Sequence, residues 1–113
     1  MKKLKLVVNN VSNSIKDKEI FFIKKELQTI LNLYGKMVSN GTWKDYGMSI
    51  SSKEISFDVY QRSSEKPVYR ILKTQNIKER FYIQDKNGSV IEKSSNLLNL
   101  IKKTRWNNLK AIK

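Results

Sequence analysis

Phe22-Ile-Lys-Lys-Glu-Leu-Gln-Thr-Ile-Leu-Asn-Leu-Tyr-Gly-Lys-Met-Val-Ser-Asn-Gly-Thr-Trp-Lys-Asp-Tyr46 is the stretch whose reading decides the fold of this 113-residue chain. Ile23, Leu27, Ile30, Leu31, Tyr34, Met37 and Val38 recur at offsets of three and four, the spacing that gathers apolar side chains on one stripe of an α-helix. The helix is expected from about Ile23 to Val38. It closes at Asn40-Gly41, where a glycine can take the left-handed conformation of a helix end. A helix with one apolar side has to lie on something, and the rest of the chain must supply it.

Directly after the helix the period falls from 3.6 to 2. Tyr46, Met48 and Ile50 alternate with small or polar residues, and so do Ile55, Phe57 and Val59, with the turn Ser51-Ser52-Lys53-Glu54 between them, which predicts a β-hairpin. Ser63-Ser64-Glu65-Lys66-Pro67 leads into a third strand near Val68–Lys73, and Pro67 at its start gives up an amide proton where the loss is least felt. Arg80–Gln84 reads as a fourth strand. Asp85-Lys86-Asn87-Gly88 is a hairpin turn before a fifth at Ser89–Glu92. Ser94 or Ser95 is expected to cap a second helix carrying Leu97, Leu98 and Ile101. The fold class is therefore α+β, an antiparallel β-meander of about five strands packed against an N-terminal amphipathic helix, with a short C-terminal helix. The domain plan is a polar arm over 1–19, one α+β domain over 20–102, and a basic tail over 103–113.

Composition narrows the function classes. With no cysteine and no histidine there is no disulfide framework, no thiolate metal site, no thiol nucleophile and no imidazole base, so a non-enzyme without metal or cofactor is expected. Met-Lys-Lys-Leu-Lys-Leu-Val-Val at residues 1–8 begins like a signal peptide, but its apolar run is too short and no small-residue cleavage site follows, so a cytoplasmic protein is expected. No stretch approaches the ~20 apolar residues needed to cross a bilayer. Lys and Arg number 23 against 10 Asp and Glu, a net charge of +13. That excess fits an anionic partner such as nucleic acid, and equally the Lys-, Asn- and Ile-rich composition of an AT-rich genome.

Phe22-x-Lys-Lys-Glu-Leu, Ile30-Leu-Asn-Leu-Tyr-Gly-Lys-Met-Val38, Gly41-Thr-Trp-Lys-Asp-Tyr46 and Arg62-Ser-Ser-Glu-Lys-Pro-Val-Tyr-Arg-Ile71 together resemble the alphaproteobacterial family catalogued as domain of unknown function (DUF) 2794. The resemblance runs in matching order over about residues 22–101. It implies a compact bacterial cytoplasmic protein with no assigned activity, cofactor or catalytic residue. Lys24, Lys36, Lys44 and Gln61 stand where that family usually carries arginine, and Ser63 where a small apolar residue is usual. Lysine keeps the charge but loses the planar bidentate fork, and Gln61 loses both.

Two surfaces are candidates for a partner. If Ile55, Phe57 and Val59 face the core, Tyr60, Arg62, Arg70, Arg80 and Tyr82 share the opposite face of the sheet. Aromatics and arginines mixed on a sheet suit single-stranded nucleic acid or a ribonucleoprotein, bases stacking on the rings and phosphates taken by guanidinium groups. The competing reading of the same residues is cross-strand pairing that stabilises a solvated face. The second surface is the first helix together with Trp43, Asp45 and Tyr46 at its end, which reads as the docking face of a protein-interaction or assembly factor, while the corner reads more simply as an aromatic plug with Asp45 accepting backbone amides. Ser63, Ser64 and Glu65 are explained by turn chemistry, and no metal site or catalytic residue is expected. Gly35 inside the helix suggests close approach of a neighbouring segment, and Trp106 among Lys102, Lys103, Arg105, Lys110 and Lys113 suggests contact with phosphates or an anionic membrane.

Overall fold

The computed structural model describes residues 20–61 and 66–106; the expected N-terminal arm over 1–19, Arg62 with the turn Ser63-Ser64-Glu65, and the end of the basic tail lie outside the described residues. The element order is α1 (Lys24–Ser39), β1 (Asp45–Ile50), β2 (Glu54–Tyr60), β3 (Tyr69–Thr74), β4 (Phe81–Asp85), β5 (Val90–Ser94) and α2 (Leu97–Lys103). The strands form one antiparallel sheet in sequential order, β1-β2-β3-β4-β5. This is the α+β meander expected from the periods.

Register decides which side chains meet. Met48, Phe57, Ile71 and Ile83 line up across four strands, flanked by a row of Tyr46, Val59 and Tyr69 and another of Ile50, Ile55, Lys73 and Phe81. Cross-strand partners share a face, so these rows make the apolar side. Ile30 and Met37 of α1 and Leu97 and Leu100 of α2 pack on it in one continuous core. Each fully buried branched side chain there contributes about 1.5–3 kcal/mol.

The buried stripe of α1 is narrower than the spacing suggested. Ile23, Leu31 and Val38 are 55%, 41% and 39% exposed. Ile23 is the residue before the first turn, while Leu31 and Val38 lie on the flank of the stripe and stay exposed. Leu33, on the other flank, packs instead. Gly35 is exposed and a Cβ placed there would meet nothing within 4 Å, so no segment among the described residues approaches it. Its cost of up to about 1 kcal/mol relative to alanine is not repaid by packing among them.

Polar bonds fix both ends of α1. Glu26 Oε1 accepts the Ile23 amide at 2.9 Å and also the Lys73 ammonium at 2.7 Å. Lys73 lies in the core face at 7% exposure, and its ammonium donates as well to the Phe21 carbonyl at 2.8 Å. A charge so placed costs several kcal/mol to desolvate unless it is paired, and Glu26 pairs it. At the other end Gly41 has φ +81°, and the Thr42 and Trp43 amides both return to the Met37 carbonyl, at 2.8 and 3.2 Å. The chain therefore reverses on the spot and drives Trp43 into the core before Lys44 opens the ladder by donating to the Tyr60 carbonyl at 2.8 Å.

The cap of α2 is Asn96 rather than Ser94 or Ser95: its side-chain oxygen accepts the Asn99 amide at 2.8 Å, while Ser94 Oγ accepts the Asn96 amide. Leu97 and Leu100 are buried, whereas Leu98 is 52% exposed. Packing continues to Trp106, inside the run expected as tail. Its indole N–H donates to the Ile101 carbonyl at 2.9 Å, and only 7% of the residue is exposed, so this ring is committed to the core rather than to a surface.

Candidate functional site

Arg70 is the centre of the sheet face away from the helices. Its guanidinium donates through Nε to Asp58 Oδ1 at 2.9 Å, through Nη2 to Ser56 Oγ at 3.0 Å and through Nη1 to Gln84 Oε1 at 3.3 Å. Asp58 also accepts the hydroxyls of Ser56, at 2.8 Å, and Ser49, at 3.1 Å. Register produces this network directly, because Asp58, Arg70 and Gln84 are cross-strand partners. Ser56 within the network and Leu72, its cross-strand partner on the same face, are buried. Arg70 thus ties β3 to β2 and β4, Asp58 carries the network on to Ser49 of β1, and the guanidinium has little left to offer a phosphate.

The other residues expected on this face have different positions. Tyr82 donates its hydroxyl to Glu54 Oε1 at 3.1 Å. Burial raises its pKa, and the Glu54 carboxylate raises it further, so the phenol stays neutral and remains a donor at physiological pH. Arg80 reaches the Thr74 carbonyl through Nη1 at 3.4 Å, and Tyr60 is half-buried at the β1 side. Between β3, β4 and β5 the face hollows into an open cavity of about 280 Å³ lined by Thr74, Asn76, Glu79, Tyr82, Gln84, Val90 and Lys93. Val90 reaches this side because the register shifts between Ile83 and Gln84, which sets Gln84 opposite Val90.

Trp43, Asp45 and Tyr46 lie in an aromatic cluster. Trp43 is 1% exposed, so no partner reaches its ring. It meets Trp106 edge to face at 5.4 Å and Tyr69 at 6.4 Å, and its indole N–H has no hydrogen-bond partner among the described residues. Tyr46 stacks on Phe57 at 4.8 Å, and Tyr34 abuts Tyr46 at 5.1 Å. Asp45 accepts the amide of Tyr46 at 2.8 Å. Burial, then the Asp45 and Tyr46 charges, raise the pKa of Tyr34, while burial and then Asp85 raise that of Tyr69. The geometry is that of a plug closing the helix–sheet junction.

Charge is distributed unevenly. Glu26, Asp58, Glu79 and Glu92 are ion-paired with Lys73, Arg70, Lys93 and Lys103. Glu54 holds Tyr82, Asp45 accepts the amide of Tyr46 at the start of β1, and Asp85 accepts the backbone amides of its turn. Every acid among the described residues is therefore engaged within the chain. Exposed cations such as Lys24, Lys25, Lys36, Lys44 and Lys86 have no acidic partner among those residues. No three acidic side chains among the described residues come together as a metal site, and no helix among them is long and apolar enough to cross a membrane.

The sequence placed Tyr82 and Arg80 beside the hollow without revealing it. Asn76, Glu79, Gln84, Val90 and Lys93 come together through a loop conformation and a register shift that carry no short sequence signature. A family model described as "Protein of unknown function (DUF2794)" matches residues 20–101. No curated protein and no solved structure matches the chain.

Proposed function

The chain belongs to the DUF2794 family, and from that footing we propose that it is a non-enzymatic, intracellular module that binds single-stranded nucleic acid, free or in a ribonucleoprotein. The observation that carries this reading is the fate of the acids. Four of the described carboxylates are ion-paired and the other three accept hydrogen bonds, so cations such as Lys24, Lys25, Lys36, Lys44 and Lys86 face solvent with no acidic partner among the described residues, the electrostatic footprint a polyanion recognises. On the outer sheet face Arg80 and Tyr82 are the contact residues, at the rim and wall of the cavity. Arg70 acts as their brace, fixing Gln84 and tying the strands, and Tyr60 stands apart at the β1 side of the same face.

A second reading, a protein-interaction or assembly factor, is favoured by one specific feature, the exposed Leu31 and Val38 beside the open Gly35 on α1. Of the expected docking face it keeps the helix edge and leaves out the Trp43 ring, which is buried. Affinity capture of the full chain from its native cells, with and without nuclease, separates the two. The nucleic-acid reading expects co-purifying RNA or DNA, and loss of associated proteins after nuclease. One stoichiometric protein retained after nuclease, with no nucleic acid recovered, favours docking on α1 instead.

A further inference from the structure

The dipeptide Asn-Gly occurs at Asn40-Gly41 and again at Asn87-Gly88. Glycine has no side chain to hinder its own nitrogen, and the backbone freedom of the pair lets that nitrogen reach the side-chain carbonyl carbon of the asparagine. The fold treats the two copies differently. Asn40 closes α1, and its Oδ1 accepts both the hydroxyl and the amide of Thr42, the amide at 3.1 Å. Thr42 and Trp43 are buried and their amides are bonded to the Met37 carbonyl, so turning the Asn40 side chain toward Gly41 dislodges the corner that seats Trp43. Asn87 stands at the tip of the β4–β5 hairpin, at the edge of the sheet, where residues 86–90 are all exposed. Its side chain has no hydrogen-bond partner among the described residues. The attacking nitrogen, that of Gly88, is held by one turn bond to the Asp85 carbonyl at 3.0 Å, and a bond at an exposed loop tip opens at little cost in free energy.

We infer that Asn87 is a site of spontaneous modification, deamidating through a succinimide, while the fold holds Asn40 back from the same reaction. The Gly88 nitrogen bonds to Asn87 Cγ, the Cγ–Nδ2 bond breaks, and the side-chain nitrogen leaves as ammonia, taking the Gly88 amide proton with it. Water then opens the ring. Addition at Cγ restores the ordinary backbone and leaves aspartate. Addition at the main-chain carbonyl leaves isoaspartate, in which the backbone runs through the side chain and is one carbon longer. Water is the sole co-reactant. Either product sets a carboxylate beside Lys86, in the turn whose amides Asp85 accepts, and lowers the net charge of +13 by one. Isoaspartate also lengthens the loop between Gln84 and Val90, which are paired across β4 and β5 and line the outer cavity. Chains therefore lose positive charge at this hairpin as they age.

The test is incubation of the full chain at neutral pH and physiological temperature, folded and, in parallel, unfolded in guanidinium chloride. Cleavage after lysine then gives peptides 87–93 and 37–44, one for each Asn-Gly, and mass spectrometry follows the replacement of NH₂ by OH in each. The ratio of the two rates, Asn87 over Asn40, should be at least about tenfold larger in the folded chain than in the unfolded one, because opening is local at the hairpin tip and reaches the core at the helix end. Isoaspartate should appear in peptide 87–93, since direct hydrolysis of the side-chain amide cannot give it. Asn87→Gln keeps an amide but requires a six-membered ring, and should abolish the change in 87–93 while leaving 37–44 as it was. A smaller gain in the ratio on folding, no change in peptide 87–93, aspartate without isoaspartate, or the same mass gain in the Asn87→Gln peptide overturns the inference.

Discussion

Trp43→Ala is expected to lower the free energy of unfolding by about 3–5 kcal/mol, a large share of the ~5–15 kcal/mol that holds a domain of this size together. Trp43 is 1% exposed and touches Tyr34, Tyr69 and Trp106. Truncation removes the transfer energy of the indole and leaves a cavity at the junction of α1 with the sheet. The neighbours cannot collapse into it, since Tyr46 is stacked on Phe57 and the Trp106 indole is tied to the Ile101 carbonyl. Because the Trp43 indole N–H has no partner among the described residues, Trp43→Phe loses volume but no hydrogen bond there and should cost much less. Urea unfolding followed by far-ultraviolet circular dichroism measures both. Equal, small losses for the two variants would mean that the corner is a surface feature rather than a plug.

Glu26→Ala should be the other severe single change, at about 2–4 kcal/mol. It leaves the Lys73 ammonium at 9% side-chain exposure with the Phe21 carbonyl and the face of the Phe81 ring but no counter-charge, and it frees the Ile23 amide at the start of α1. The double variant Glu26→Leu with Lys73→Met replaces the pair by apolar volume and should recover most of the loss, because the damage in the single variant comes from an uncompensated charge rather than from a missing attraction. A double variant as unstable as Glu26→Ala would contradict this account of the pair.

Local periodicity made much of the fold readable. The switch from helical to strand spacing after Gly41 located α1 and the first hairpin, and Asp85-Lys86-Asn87-Gly88 located the last. What escaped depends on contacts between segments far apart in sequence. Lys73 reads as the polar end of a strand, yet register aligns it with Ile55 and Phe81 on the core face, where Glu26 from α1 meets it. Trp106 reads as part of a basic tail because its burial depends on Trp43 and Tyr69 closing over it. Leu31 and Val38 fit the apolar stripe by spacing alone, yet they lie on its flank, outside the face that packs on the sheet. At the candidate site Arg70 and Tyr82 were legible as outward-facing, whereas the partners that occupy Arg70 and the cavity beside Tyr82 follow from register and from the Ile83/Gln84 irregularity.

The central claim, that the surplus positive charge serves a single-stranded polyanion, is tested most directly by the affinity of the unmodified chain for a labelled single-stranded oligonucleotide as salt rises from about 50 to about 200 mM. About four phosphate contacts on a single strand imply a loss of roughly fiftyfold over that range, and the account predicts a fall of this order. An affinity that stays constant across the series, or no binding at the low-salt end, would contradict it.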